Sequence, residues 1–283
     1  MRSGWLLYNR EDYEKNRAFA DRFLAGCGKY GLSISLRFLD NIAFSLDSQR
    51  LVTDGADAPP DFIINRTRQW LPARCAEQAG CRVFNSAGAC RACNDKIESH
   101  MLAARLGLPQ VDMAFCRNAP EAAARHGLGY PVVVKDPHGH GGSGVFLAHD
   151  EGELTAVLPC IPGEWVLIQK LCGKPGEDVR VYVLGGYILA AVKRISRSDF
   201  RANLSLGGSV EPYRLSGGEE AMVKQILKAL PLGYGGVDFL IDDYGGLLFN
   251  ELEDAVGSRS LYLLGMQDTA ELFMGHIAAE MGR

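Results

Sequence analysis

The chain opens on an apolar run, GWLLYN, followed by DYEKNRAFADRFLAGCGKYG, where apolar residues recur at helical spacing up to a glycine, and by a second apolar run, LSISLRFL. That order predicts a strand, an amphipathic helix and a strand, the opening of an α/β unit. Two shorter runs, DFIINR and CRVFN, predict further strands, so a small α/β domain is expected over residues 1–84. NDKIESHMLAARLGL then predicts a helix with Asn94 as its capping candidate and Gly107 at its end. Beyond it the apolar period falls to two. YPVVVKD, GVFLAHD, EWVLIQKL, DVRVYVLGGYILAAVKRI and GVDFLIDDYGGLLFNEL predict strands and hairpins, interrupted by a helix over GEEAMVKQILKAL and closed by another over MQDTAELFMGHIAAEM. The expected fold class is an α/β N-terminal domain followed by an α+β module with mainly antiparallel sheets.

Composition narrows the class. A chain of 283 residues has room for two or three packed units. With 47% hydrophobic and 23% charged residues it is an ordinary globular sequence, which excludes disorder. A net charge of -4 gives no general pull toward nucleic acid or an anionic membrane. No segment has the apolar length of a membrane span, and the run after the first residues is too short for a signal-peptide core. A cytoplasmic location is therefore expected, where the eight cysteines are most simply free thiols. Cys75, Cys81, Cys90 and Cys93 form a loose cluster ending in C-x-x-C. Zinc is the sharper reading of it, weakened because only one of the two pairs is tightly spaced.

Two stretches carry chemistry. VVVKDPHGHGGSGVFLA sets Lys135 on a strand beside a glycine-rich loop, where backbone N–H groups can approach an anion without side-chain obstruction. It is not a Walker loop, and the first βα turn lacks G-x-G-x-x-G. By itself the segment leaves a plain flexible hairpin loop open. His138 and His140 lie within it and could touch a phosphate, although loop histidines usually face water.

In GVDFLIDDYGGLLFNELED, alternation puts Glu251 and Glu253 on one face. If Asp242 pairs with Leu247 across the turn, Asp238 lies opposite Glu251 on that face. Three such carboxylates suit magnesium or manganese, which typically bridge carboxylates and nucleotide phosphates. A solvated strand end explains Asp242 and Asp243, but not Asp238 within an apolar strand. RSDFRANLSLGG, with Arg201 and Asn203 before paired glycines, reads as a loop over a site.

In this order the motifs NDKIESHMLAARLGLP, PVVVKDPHGHGGSGV, VLIQKL, EDVRVYVLGG, KRISRSDFRANLSLGG, GGVDFL and NELEDAVGS resemble the ATP-grasp superfamily. The branch is that of carboxylate-amine ligases, which includes the ribosomal-protein glutamate ligase and the lysine-biosynthesis and glutathione ligases. The resemblance runs from about Asn85 to Ser260. It implies that residues 85–168 and 169–283 are the two ATP-grasp subdomains, the first with the phosphate loop and the second with the metal site.

By position, Lys96 and Lys135 resemble the lysines on the nucleotide phosphates, and Gly141, Gly142, Ser143 and Gly144 the loop folding over them. Gln169, Lys170 and Leu171 resemble the adenine-side hinge, and Asp178 the ribose contact. Arg180, Arg194, Arg201 and Asn203 resemble the groups around the transferred phosphate and the carboxylate acceptor, and Arg259 is placed to meet substrate or phosphate. Asp238 and Glu251 match two magnesium ligands. The third departs from the family: where E-x-N precedes proline and glycine, this chain has Glu251, Leu252 and Glu253, then Val256 and Gly257. Glutamate is a competent hard ligand, and its extra charge could instead face a substrate ammonium.

The implied activity is an ATP-dependent carboxylate-amine ligase forming an amide or peptide bond through an acyl phosphate and releasing ADP and phosphate. The expected cofactors are ATP and Mg2+, with Mn2+ as an alternative. The expected partners are a small-molecule or peptide carboxylate and an amine acceptor, and the resemblance leaves a homodimer open. Two rivals remain: a non-catalytic ATP-binding sensor module, and a small-molecule kinase on the same fold. Substrate identity is not readable from spacing. NRTRQW, Asn65 to Trp70, is a candidate substrate-facing loop because two arginines there could bind an acidic group; an ordinary basic loop is the plainer reading.

Overall fold

In the computed structural model the described residues are 1–45, 50–53, 59–197, 199–202, 208–266 and 268–282. Strand β1 (Arg2–Tyr8) leads through α1 (Arg10–Gly26) and a 3-10 turn to β2 (Leu32–Phe38). The hairpin β3 (Ile42–Ser45) and β4 (Arg50–Thr53) follows, then β5 (Phe62–Asn65), α2 (Trp70–Gln78) and β6 (Arg82–Phe84). β2, β1, β5 and β6 form a parallel sheet in that spatial order. Its strands read as unbroken apolar runs because both faces are covered. Leu6, Tyr8, Phe62 and Ile64 pack with Phe19 and Phe23 of α1, whereas Trp5, Leu7 and Ile63 pack with Ala73 and Ala76 of α2.

Helices α3 (Ala87–Cys93) and α4 (Lys96–Arg105) precede β7 (Met113–Arg117), α5 (Pro120–Ala123), β8 (Val132–Lys135), β9 (Val145–Ala148), α6 (Glu151–Val157) and β10 (Trp165–Lys170). These strands make an antiparallel sheet ordered β7-β10-β8-β9, with its own core of Val132, Val134, Val166 and Ile168 against Leu154 and Leu158. The third sheet is also antiparallel. It combines β11 (Glu177–Leu184), β12 (Tyr187–Ile195), β13 (Ser209–Pro212), β14 (Tyr234–Ile241) and β15 (Leu247–Glu253) in the order β13-β12-β11-β14-β15. α7 (Gly217–Ala229) lies between β13 and β14, and α8 (Arg259–Leu263) and α9 (Thr269–Met281) end the chain. The expected fold class is observed. No described helix is long and apolar enough to cross a membrane.

Packing cuts across the sequence divisions. Ala89 of α3 and Leu102 and Ala103 of α4 join the core of the third sheet, beside Val179, Phe239 and Phe249, although residues 85–168 were expected as one subdomain. Strand β10 straddles the expected boundary at 168/169. Phe273, Met274 and Ile277 of α9 complete the core over α1, with the Phe23 and Phe273 rings 5.9 Å apart.

The start of α4 also differs from expectation. Asp95, not Asn94, is the N-cap: its carboxylate accepts from the Ile97 N–H at 2.8 Å and the Glu98 N–H at 3.2 Å. A carboxylate complements the positive helix end better than an amide does. The Asn94 amide closes α3 instead, donating to the Cys90 carbonyl and, at 2.8 Å, to Asp254.

His100, one turn further along α4, is only 2% exposed and sits 2.9 Å from the Gln110 side-chain oxygen. Burial, with the charge of Lys135, lowers its pKa to about 4. Between pH 6.5 and 4 the unfolded chain takes up a proton that the folded chain refuses, so stability falls on acidification through that window and is flat above it. Wild type should lose roughly 2 kcal/mol more than His100→Gln between pH 7 and pH 5. Urea unfolding at both pH values measures this; equal losses would refute it.

Candidate active site

The hairpin of β14 and β15 sets the centre of the site. Leu247 pairs with Ile241, one residue away from the expected Asp242, whose carboxylate instead accepts from the Tyr244 and Gly246 N–H groups in the turn. A bulge in β15 opposite the Asp238–Phe239 step, with Asn250 as the additional residue, then restores the Asp238–Glu251 pairing. Asp238, Glu251 and Glu253 consequently converge, with ligand oxygens within 4.8 Å of one another. Leu252 points the other way into the core.

The bulge adds a residue that alternation could not reveal. The Asn250 side-chain oxygen accepts a 2.8 Å hydrogen bond from Lys135 Nζ, tying the third sheet to β8. Lys135 is 7% exposed, and burial, aided by Lys96 and opposed by Glu251, lowers its pKa to about 8. Lys96, at the start of α4, donates to the Gly139 carbonyl and lies 3.5 Å from Glu251.

Asp238 is fully buried, and two arginines hold it. Arg180 binds it through Nε at 2.7 Å and Nη2 at 2.5 Å, and Arg194 Nη2 adds a contact at 2.8 Å. Burial disfavours its charge, but the two guanidinium groups outweigh that and hold its pKa below the usual carboxylate value. Arg180 also meets Glu253 at 2.7 Å. Burial, reinforced by Asp238 and Glu251 and opposed by Arg180, raises the Glu253 pKa. Asp178, expected at the ribose, is gripped by Arg194 through Nε at 2.6 Å and Nη2 at 2.5 Å. Arg180 and Arg194, expected around the transferred phosphate, are therefore built into a carboxylate network.

The glycine loop curls over this centre. Gly141, Gly142 and Gly144 all have positive φ. At Gly144 a side chain would also strike Asp136, since a Cβ would come 2.8 Å from that residue's own Cβ. Arg201 reaches the loop, donating from Nη1 to the Gly142 carbonyl at 2.8 Å while Asp199 braces its other side. Asn203 lies outside the described residues.

Between the two antiparallel sheets, Lys96, Lys135, Gly141, Gly142, Gln169, Lys170, Leu171, Asp178, Arg201 and Glu251 line one cleft. Gln169 is 1% exposed and its amide nitrogen has no partner among the described residues. An orphaned donor beside two lysines fits a ligand with acceptors and phosphates. Lys170 is exposed and paired with Asp112 at 2.8 Å.

The cleft opens into a cavity of about 1750 Å³ walled by the N-terminal sheet's loops, the glycine loop with Ser143, and the segment carrying Glu253 and Arg259. The NRTRQW loop divides there. Arg66 is buried, donating to the Val256 carbonyl at 3.0 Å with its guanidinium 5.1 Å from the centre of the Phe19 ring. Arg68 lines the cavity, bound to both oxygens of Asp12 at 2.9 and 3.0 Å, with a φ of 59°.

All eight cysteines are free. Among the described residues, the carboxylate trio is the group able to hold a metal, and no cysteine cluster joins it. Its all-oxygen donor set fits a hard divalent cation. Sequence reasoning missed Asn250, which depends on the bulge, and the cavity-facing Asp12, which alternation on a helix does not single out.

Residues 93–272 match the family described as the RimK-like ATP-grasp domain. The chain is 28% identical to N-acetylaspartylglutamate synthase A of Mus musculus over 304 residues, covering 98% of this chain and 77% of that protein. It is 30% identical to a protein named probable alpha-L-glutamate ligase from Maridesulfovibrio salexigens over 202 residues, covering 69% and 65% of the two chains. D-alanyl-alanine synthetase A from Vibrio cholerae superposes with a TM-score of 0.77 at 15% identity, covering 100% of this chain and 99% of that one. The RimK domain ATP-grasp protein from Sphaerobacter thermophilus gives 0.74 at 20% identity, covering 99% and 100%. These two likenesses are of fold. With the sequence match spanning the glycine loop, the cleft and the carboxylate strand, the chain belongs to the RimK-like ATP-grasp family.

Proposed function

We propose that the protein is an ATP-dependent carboxylate-amine ligase, acting in the cytoplasm, that forms an amide through an acyl phosphate and releases ADP and phosphate. The observation that carries this reading is the junction of the two spaces. Lys96 and Glu251 line both the cleft with Lys135 and the large cavity. A nucleotide's terminal phosphate in the cleft would thus face substrates in the cavity. The cavity exceeds the roughly 300–1,000 Å³ of common small-ligand sites, leaving room for a carboxylate and an amine together.

In this reading Lys96 and Lys135 neutralise phosphate oxygens, and Gly141, Gly142, Ser143 and Gly144 cover them with backbone N–H groups. Gln169, Lys170 and Leu171 hold the adenine side. Glu251 and Glu253, with Asp238 behind them, would hold Mg2+, which when bound neutralises the phosphates. Arg180 and Arg194 position those carboxylates, and Arg201 and Arg259 face the transferred group and the substrate. Phosphoryl transfer needs alignment and charge neutralisation more than covalent help, and this residue set can supply both. Covering by the loop would keep water from the acyl phosphate.

The test is ADP release with magnesium and ATP against pooled small carboxylic acids, amino acids and short peptides, with hydroxylamine as a trap. Substrate-dependent ADP release together with an acyl hydroxamate is expected. ADP release with a stable phosphorylated product and no hydroxamate would make the protein a kinase. ATP binding by calorimetry without ADP release from any pool would make it a sensor module.

A further inference from the structure

We propose that His140 is the general base that takes the proton from the incoming amine. The proposal rests on the ligase reading and assigns a residue to the half of the reaction after phosphoryl transfer.

Five residues line both the cleft and the cavity: Lys96, Gly139, His140, Gly141 and Glu251. The two glycines offer only backbone. Lys96 is held by the Gly139 carbonyl and Glu251, and both charged side chains are placed for phosphate and metal. His140 alone brings an imidazole to the point where the acyl group and the amine would meet. Among the described residues, no hydrogen bond engages its ring nitrogens.

The groups facing the ring come from three elements. α1 contributes Asp12 and Lys15, with Glu11 also within electrostatic reach; the loop after β5 contributes Arg68, and α4 contributes Lys96. Asp12 favours the imidazolium, but neighbouring protein that displaces some of the water around the exposed ring, together with Arg68, Lys96 and Lys15, disfavours it, lowering the pKa of His140 from its ordinary value. At neutral pH the ring therefore keeps a free electron pair. Asp12, Lys15 and Arg68 also line the cavity, so the ring faces the side from which an amine would come.

The amine arrives as an ammonium ion. Its first proton passes to a ring nitrogen of His140, freeing the electron pair that attacks the acyl carbon and forms the C–N bond. Collapse of the adduct breaks the carbon–oxygen bond to phosphate, which leaves with that bonding pair and takes the second nitrogen proton. The products are the amide, hydrogen phosphate and an imidazolium that returns its proton to water. No further reactant is needed.

Hydroxylamine separates this role from the first half of the reaction, because it is a weak base already unprotonated at neutral pH and needs no proton removed before attack. Wild type, His140→Asn and His140→Gln would be given magnesium, ATP and the carboxylate pools, with either glutamate or hydroxylamine as the amine. Both variants should lose at least about tenfold more amide formation than hydroxamate formation. That gap should narrow as pH rises and solvent deprotonates the amine. Equal losses of both products at every pH, or no loss of amide formation, would overturn the proposal. Failure of wild type to make hydroxamate from any pool would overturn the ligase reading beneath it.

Discussion

Glu251→Gln is expected to reduce ADP release by at least about a hundredfold while leaving the fold intact. Glu251 is partly exposed, at 25% of its side chain, and lies at the junction of cleft and cavity. Among the described residues its single ion pair is the 3.5 Å contact with Lys96. The amide keeps the size and polarity of the side chain but removes the charge that a divalent cation requires. Because the charge is partly solvated and both lysines beside it keep a second partner, Lys96 the Gly139 carbonyl and Lys135 the Asn250 side-chain oxygen, the urea midpoint should move far less than on neutralising a fully buried carboxylate. ADP release in a coupled assay and a denaturation curve on the same preparation check both halves. Near-normal turnover would remove Glu251 from the metal site.

Asp238→Asn should behave differently, losing turnover and about 3–5 kcal/mol of stability together. Asp238 is completely buried and accepts from both Arg180 and Arg194, which are themselves 9% and 6% exposed at the side chain. An asparagine presents one oxygen and an N–H₂ group to two guanidinium groups that cannot lose their protons, leaving buried positive charge uncompensated. Equilibrium unfolding in urea measures the loss. An unchanged midpoint would mean that the network does not hold the third sheet together. Since inactivity here follows from either cause, Glu251→Gln is the cleaner inactive control.

Much of this site was legible because strands alternate simply. The facing of Glu251 and Glu253, and the placement of Asp238 within an apolar strand, follow from a period of two. Register at the turn was not legible. The structure pairs Leu247 with Ile241, and the trio meets only because a bulge shifts the ladder by one residue. That shift also aims Asn250 at Lys135, which no spacing rule foretells. Arg180 and Arg194 were named by the resemblance, but their burial depends on β11 lying between β12 and β14, a property of sheet order. The helix cap moved from Asn94 to Asp95 for a local reason, competition between adjacent capping side chains. In the NRTRQW loop, sequence could not tell that Arg66 would turn inward and Arg68 outward.

The seating of α9 on α1 bears on how the molecule is made. Phe19 and Phe23 are covered by Phe273, Met274 and Ile277, so residues from opposite ends of the sequence share one core. Domains generally fold in order as they emerge during synthesis, but here the sheet of β1, β2, β5 and β6 has an unfinished apolar face until residues 273–277 have been made. It cannot mature as a separate early unit. The middle sheet, with Val132, Val134, Val166 and Ile168 enclosed by residues of its own segment, carries no such dependence. It can consolidate while the first sheet is still waiting for its lid.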